Sequence, residues 1–128
     1  MLKWKRESQG RSVLMIEGAR RVGKSFIVRE FASREYESYI LIDFNNTTEQ
    51  VRGLFQNYLN DLDSFFMYLS LSADVTLHER KSLIIFDEVQ RFPEARAALK
   101  YLVNDGRYDY IETGSLVSIR KNVKGITI

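Results

Sequence analysis

Eight consecutive residues carry the clearest chemistry of this chain: Gly18-Ala19-Arg20-Arg21-Val22-Gly23-Lys24-Ser25. A glycine, four variable residues and then Gly-Lys-Ser is the spacing of a loop whose backbone N–H groups wrap phosphate oxygens, with glycine where a Cβ would collide or φ turns positive. Lys24 supplies a point charge for the outer phosphates. Ser25 opens the following helix, where its hydroxyl can ligate Mg²⁺ while the helix N-terminus adds a positive partial charge. The set expected to bind a nucleoside triphosphate runs through Gly18, Ala19, Arg20, Arg21, Val22, Gly23, Lys24, Ser25 and Phe26. The plainer alternative, two glycines that end a strand and start a turn, does not account for an apolar run before the octapeptide and a helix after it.

A second stretch, Leu83-Ile84-Ile85-Phe86-Asp87-Glu88, is an apolar run that ends in two carboxylates, the Walker B pattern. A continuous apolar string reads as a central parallel strand covered on both faces. Its C-terminal end is where α/β sheets place ligands. Asp87 is expected to hold Mg²⁺, directly or through water, and Glu88 to act as general base or to orient the attacking water. Strand ends that meet solvent often carry acids, so the stretch is weak alone; about sixty residues after a phosphate loop in one small domain, it is strong. A later strand, Tyr108–Ser115, ends in small polar residues. In many NTPases the strand beside Walker B ends in a side chain that senses the γ-phosphate or the attacking water, which makes Thr113 and Ser115 candidates for catalysis beside Lys24 and Glu88. A hydroxyl at a strand end also serves as a plain turn former.

These residues need elements to position them. Val13–Glu17 reads as the first strand and Lys24–Ser33 as the helix it feeds, with Phe26, Ile27 and Phe31 spaced to face the sheet. Tyr39–Phe44 makes a second strand closed by Asn45-Asn46. Val51, Leu54, Phe55, Tyr58 and Leu59 recur at helical spacing, followed by Leu62, Phe65, Phe66 and Leu69; these aromatics read as core, not as a ligand box. Ser70–Lys81 reads as an exposed connection, and the only histidine, His78, as a surface residue. Pro93 suits the first turn of a helix that continues to Asn104 and stops at Asp105-Gly106.

Composition sets outer bounds. With 128 residues, 45% of them hydrophobic, the chain is expected to form one domain with a sheet covered on both sides. Without cysteine it can form no disulfide and no Cys-based zinc site. No apolar stretch approaches a membrane span, and the basic N-terminus has no apolar core behind it, so no membrane association and a cytoplasmic location are expected. The net charge of +2 hides an uneven layout. Residues 1–34 hold nine Lys/Arg against three acids, whereas residues 35–90 hold three against ten. Part of the basic excess answers the nucleotide itself, so it is no independent sign of nucleic acid. Lys3, Lys5, Arg6 and Arg11 lie outside the loop and read as a solvated edge.

The order of these pieces resembles the AAA-type P-loop ATPase domain of uncharacterised bacterial and archaeal ATP-binding protein families. The resembling residues are Leu2 and Trp4, the octapeptide Gly18–Ser25, Ile85–Arg91, Leu99–Leu102 and Thr113–Leu116, which span nearly the whole chain. The resemblance implies an α/β fold, a three-layer α/β/α sandwich with a mostly parallel central sheet of RecA/AAA-like type, and ATP and Mg²⁺ as cofactors. It implies that Arg20 and Gln90 match a recurrent arginine of the loop and a recurrent glutamine after Walker B. It also implies that residues 1–128 are the N-terminal, truncated part of a longer protein, with a further core strand starting near Lys124–Ile128, a lid or winged-helix region and a C-terminal domain absent. An arginine finger or second sensor from that part would matter for turnover.

Three functions follow. An ATPase whose hydrolysis drives a conformational change in attached domains makes use of Lys24, Ser25, Asp87 and Glu88 together. A nucleotide switch or scaffold that hydrolyses slowly would act with DNA or a protein partner, and oligomers are compatible with it. A small-molecule kinase shares the loop but would want an Arg-rich lid segment, and the Asp-Glu pair suits water better than an acceptor hydroxyl. No Asn-Lys-x-Asp guanine signature occurs, and ATP over GTP rests on the resemblance.

Overall fold

The computed structural model describes residues 1–18 and 23–115. Ala19, Arg20, Arg21 and Val22 of the expected phosphate loop, and the strand expected near Lys124–Ile128, lie outside the described residues. The described elements are α1 (Leu2–Ser8), β1 (Leu14–Gly18), α2 (Lys24–Glu35), β2 (Ser38–Asp43), α3 (Glu49–Asn57), α4 (Leu62–Ala73), β3 (Ser82–Asp87), a 3-10 turn (Val89–Arg91), α5 (Pro93–Asp105) and β4 (Asp109–Ser115). The four strands form one parallel sheet in the order β1-β4-β3-β2. Each strand therefore returns through a helical crossover, as parallel pairing demands.

Strand β3 shows why the continuous apolar string was needed. Leu83 and Ile85 point to one face, where they pack with Val28, Ala32 and Tyr36 of the α2 side; Ile84 and Phe86 point to the other, against α3, α4 and α5. All six residues of the strand are buried. The second face is the larger core. There Phe44 stacks on Phe92 with ring centroids 5.7 Å apart, and Phe55 meets Phe44, Phe65, Phe86 and Phe92 edge-on. The aromatics at helical spacing are thus core residues. Helix α5 approaches closely because it turns Ala95 and Ala98 toward this core beside Leu99 and Leu102.

Helix ends follow local chemistry. Thr48 caps α3 by accepting the Val51 N–H, and Asp61 caps α4 by accepting the Ser64 N–H. Pro93 sits in the first turn of α5 and Gly106, with φ 83°, ends it in the left-handed conformation.

Two expectations need correction. Phe26 and Ile27 do not face the sheet: they are 66% and 50% exposed, and the buried stripe of α2 is Lys24, Val28 and Ala32, with Phe31 half-buried beside it. A helix turns about 100° per residue, so a phase that turns Lys24 inward and brings Ser25 to the sheet end leaves Phe26 on the opposite side. The phase of the helix follows its buried stripe of Lys24, Val28 and Ala32 and leaves two of its larger apolar residues outside. Ser70–Lys81 is also not wholly a connection, since α4 continues to Ala73 before the chain opens. His78 lies at the surface, 3.8 Å from Glu37. Among the described residues no helix is long and apolar enough to cross a membrane.

Candidate functional site

The C-terminal ends of β2 and β3 and the N-terminal turn of α2 enclose a cleft of about 400 Å³ lined by Gly23, Lys24, Ser25, Asp43, Asn45, Asp87 and Glu88. Gly23 holds φ 73°, a conformation that favours glycine, and this turn delivers Lys24 and Ser25 to the mouth of the helix. Two other grooves, of about 420 and 560 Å³, lie under α4 and beside α5, away from the loop. Volume does not rank the sites here; convergent chemistry does.

Ser25 Oγ lies 3.1 Å from each carboxylate oxygen of Asp87. Thr113, on the neighbouring strand β4, donates its hydroxyl to Asp87 Oδ1 at 2.6 Å and accepts the Glu88 backbone N–H at 3.1 Å. Asp87 is therefore gripped from both sides. The turn that follows it is unusual: Glu88 adopts φ 57° and ψ 49°. A left-handed conformation costs a non-glycine residue about 1–2 kcal/mol. Here it swings the Glu88 side chain back over the strand end, where Oε1 meets Lys24 Nζ at 2.6 Å and Oε2 accepts from Gln90 Nε2 at 2.6 Å. Both members of the ion pair are almost fully buried, at 10% and 7% side-chain exposure. Burial alone would push the Glu88 carboxyl up, but hydrogen bonds from Lys24 and Gln90, the Lys24 charge and the Ser115 backbone outweigh it and hold it below the usual glutamate range.

The residues singled out from sequence fall as follows. Lys24, Ser25, Asp87, Glu88 and Thr113 come together in one hydrogen-bonded group. Ser115 ends β4 in register with Gly18, at the base of the loop, and its buried hydroxyl has no partner among the described residues. Phe26 is the outlier, exposed on the far side of α2. Two lining residues, Asp43 and Asn45, were read only as the end of a strand. A signal for Asp43 existed: it closes the apolar run Tyr39–Ile42 as Asp87 closes Leu83–Phe86. Gln90 had been picked out by resemblance, with no role; it binds Glu88, and its own Oε1 is buried without a partner among the described residues.

The donor set fits Mg²⁺. A serine hydroxyl and an aspartate at the rim of an open cleft offer hard oxygens and leave the remaining positions to water and phosphate, as this cation prefers. Among the described residues no group of three or more acids and histidines stands close enough together to hold a metal ion by itself.

A family profile described as an AAA domain matches residues 10–125, most of the chain. None of the curated proteins compared matches the chain. The match covers residues 18–25, β3 and β4 alike. The chain therefore belongs to the AAA domain family, and with it to the nucleotide-binding, ATPase-like domains.

Proposed function

We propose that the chain binds ATP with Mg²⁺ and promotes hydrolysis of the β–γ phosphoanhydride, water attacking the γ-phosphorus and ADP leaving, with the change passed to attached domains. The observation that carries this reading is the meeting of Lys24 and Ser25 with Asp87 and Glu88 across one cleft. Residues 18–25 cradle the phosphates and Phe26 follows them into the helix. Lys24 takes the charge of the outer phosphates once it leaves Glu88. Ser25 and Asp87 would hold Mg²⁺, which when bound neutralises charge developing on the phosphoryl oxygens. Glu88, freed of Lys24, orients the attacking water and accepts its proton. Thr113 keeps Asp87 and the Glu88 backbone in place, and Ser115 offers a hydroxyl near the base of the loop.

One observation favours the second reading, a slow nucleotide switch acting with DNA or a protein partner. Both carboxylate oxygens of Glu88 are engaged by Lys24 and Gln90, so turnover requires that pair to open. Action in the cytoplasm, and on a partner through segments beyond residue 128, belongs to the same proposal.

The test is a calorimetric titration of the chain with ATP and with GTP in Mg²⁺, with phosphate release followed in the same samples. ATP binding with steady phosphate release supports the ATPase; tight binding with release at background supports the switch. A folded chain that binds neither nucleotide would refute both.

A further inference from the structure

We propose that Asp43 is a second carboxylate on the cation side of the cleft, holding the water shell of the divalent cation opposite Asp87 and Ser25. The inference rests on the nucleotide reading above and adds to it a residue from a third element.

Asp43 ends β2 as Asp87 ends β3, and the two are register partners in adjacent parallel strands. Side chains alternate along a strand, and Tyr39 and Leu41 of β2 pack on the α2 side, as do Leu83 and Ile85 of β3. Asp43 and Asp87 continue those two series, so both carboxylates stand on the face that receives the N-terminus of α2. Beyond the strands the pairing persists, with the Phe44 N–H donating to the Asp87 carbonyl at 2.9 Å. The two acids differ in depth: Asp87 is buried and grips Ser25, whereas Asp43 is exposed at the rim. One Asp43 oxygen accepts the Asn45 N–H at 2.9 Å. No described residue hydrogen-bonds to the other.

The described lining of the cleft sets the carboxylates of Asp43, Asp87 and Glu88 near Lys24. A rim carboxylate of this kind attracts a divalent cation that arrives with the phosphates. An inner carboxylate with a hydroxyl, and an outer carboxylate acting through water, suit a cation that gives up its hydration reluctantly.

The experiment uses Asp43→Asn, whose amide oxygen can still accept the Asn45 N–H. ADP affinity is measured by calorimetry in excess Mg²⁺ and in EDTA, and Mn²⁺ binding to the protein–ADP complex is followed by electron paramagnetic resonance. The parent is expected to bind ADP much more tightly with Mg²⁺ than without. In Asp43→Asn that gain should shrink by about tenfold, the size of one charge acting on a divalent cation through water, while affinity in EDTA is unchanged or rises. Asp43→Glu, which keeps the charge, should recover part of the gain. An equal gain in parent and Asp43→Asn, or an equal fall in both conditions, would assign Asp43 to the turn alone and overturn the proposal. A folded parent that binds no ADP under either condition would instead bring down the nucleotide reading, and this inference with it.

Discussion

The buried ion pair between Lys24 and Glu88 makes a quantitative demand on nucleotide affinity. A phosphate-loop lysine cannot serve the nucleotide while it is held by Glu88 at 2.6 Å, with both side chains at or below 10% exposure. On the proposed function, nucleotide binding must break that contact. A hydrogen bond to a charged group is worth about 1.5–3 kcal/mol net and a neutral one about 0.5–1.5 kcal/mol. Glu88→Gln keeps the shape and a hydrogen bond from the Lys24 ammonium but removes the carboxylate charge, so the competitor for Lys24 weakens by about 1–2 kcal/mol. At about 1.4 kcal/mol per tenfold, ADP·Mg²⁺ should bind roughly 5- to 30-fold more tightly to the variant than to the parent. ADP is the right probe because it lacks the γ-phosphate, whose repulsion by Glu88 would act in the same direction. The assay is calorimetry on both proteins at one ionic strength. If Glu88 served chemistry alone, its amide would leave binding unchanged; if the ion pair competes with nucleotide, the amide must improve it. Equal or weaker ADP binding by folded Glu88→Gln would show that the pair does not compete with nucleotide, and the reasoning would fail.

Three further outcomes are expected. Thr113→Val strips the hydroxyl shared by Asp87 and the Glu88 N–H, which should lower stability in urea unfolding by about 1–3 kcal/mol and weaken the Mg²⁺ dependence of ADP affinity; a variant as stable as the parent would contradict this. Glu112 is buried on β4 with one carboxylate oxygen lacking a partner among the described residues, and burial, opposed by Arg96 and aided by Glu17, raises its pKa. An acid raised on folding contributes best below its unfolded pKa and loses stability as pH climbs through the folded value; Glu112→Gln should therefore stabilise the chain by about 1 kcal/mol at pH 7, with the advantage vanishing at acidic pH, and an advantage independent of pH would refute the assignment. The phase of α2 is checked by two truncations: Phe26→Ala should change stability by less than about 0.5 kcal/mol, whereas Val28→Ala, fully buried, should cost about 2 kcal/mol; the reverse order in chemical denaturation would mean that the helix is rotated.

Much of the scaffold was legible because it is encoded locally. The apolar string Leu83–Phe86 reads as an interior parallel strand, and it is buried throughout. Pro93 and Gly106 bracket α5 by the conformations they permit or require. Where local encoding misled, a longer-range demand had intervened. Phe26 and Ile27 have the apolar content of a packed face, yet the phase of α2 leaves them outside.

The sequence by itself determined that a glycine-bounded octapeptide ending in Lys24-Ser25 runs into a helix and that an acidic pair ends a buried strand. Those facts are matters of spacing along the chain, where steric and hydrogen-bonding rules act within a few residues. Only the tertiary structure decided which side chains answer one another. It put β4 between β1 and β3, so that Thr113 reaches Asp87 across 26 residues of chain; it joined Lys24 to Glu88 across 64; and it set Asp43 beside Asp87. Lateral order in a parallel sheet is set by how crossover helices pack on its two faces, a global balance of burial that no short stretch contains. The contacts that would hold cation and water are products of that order.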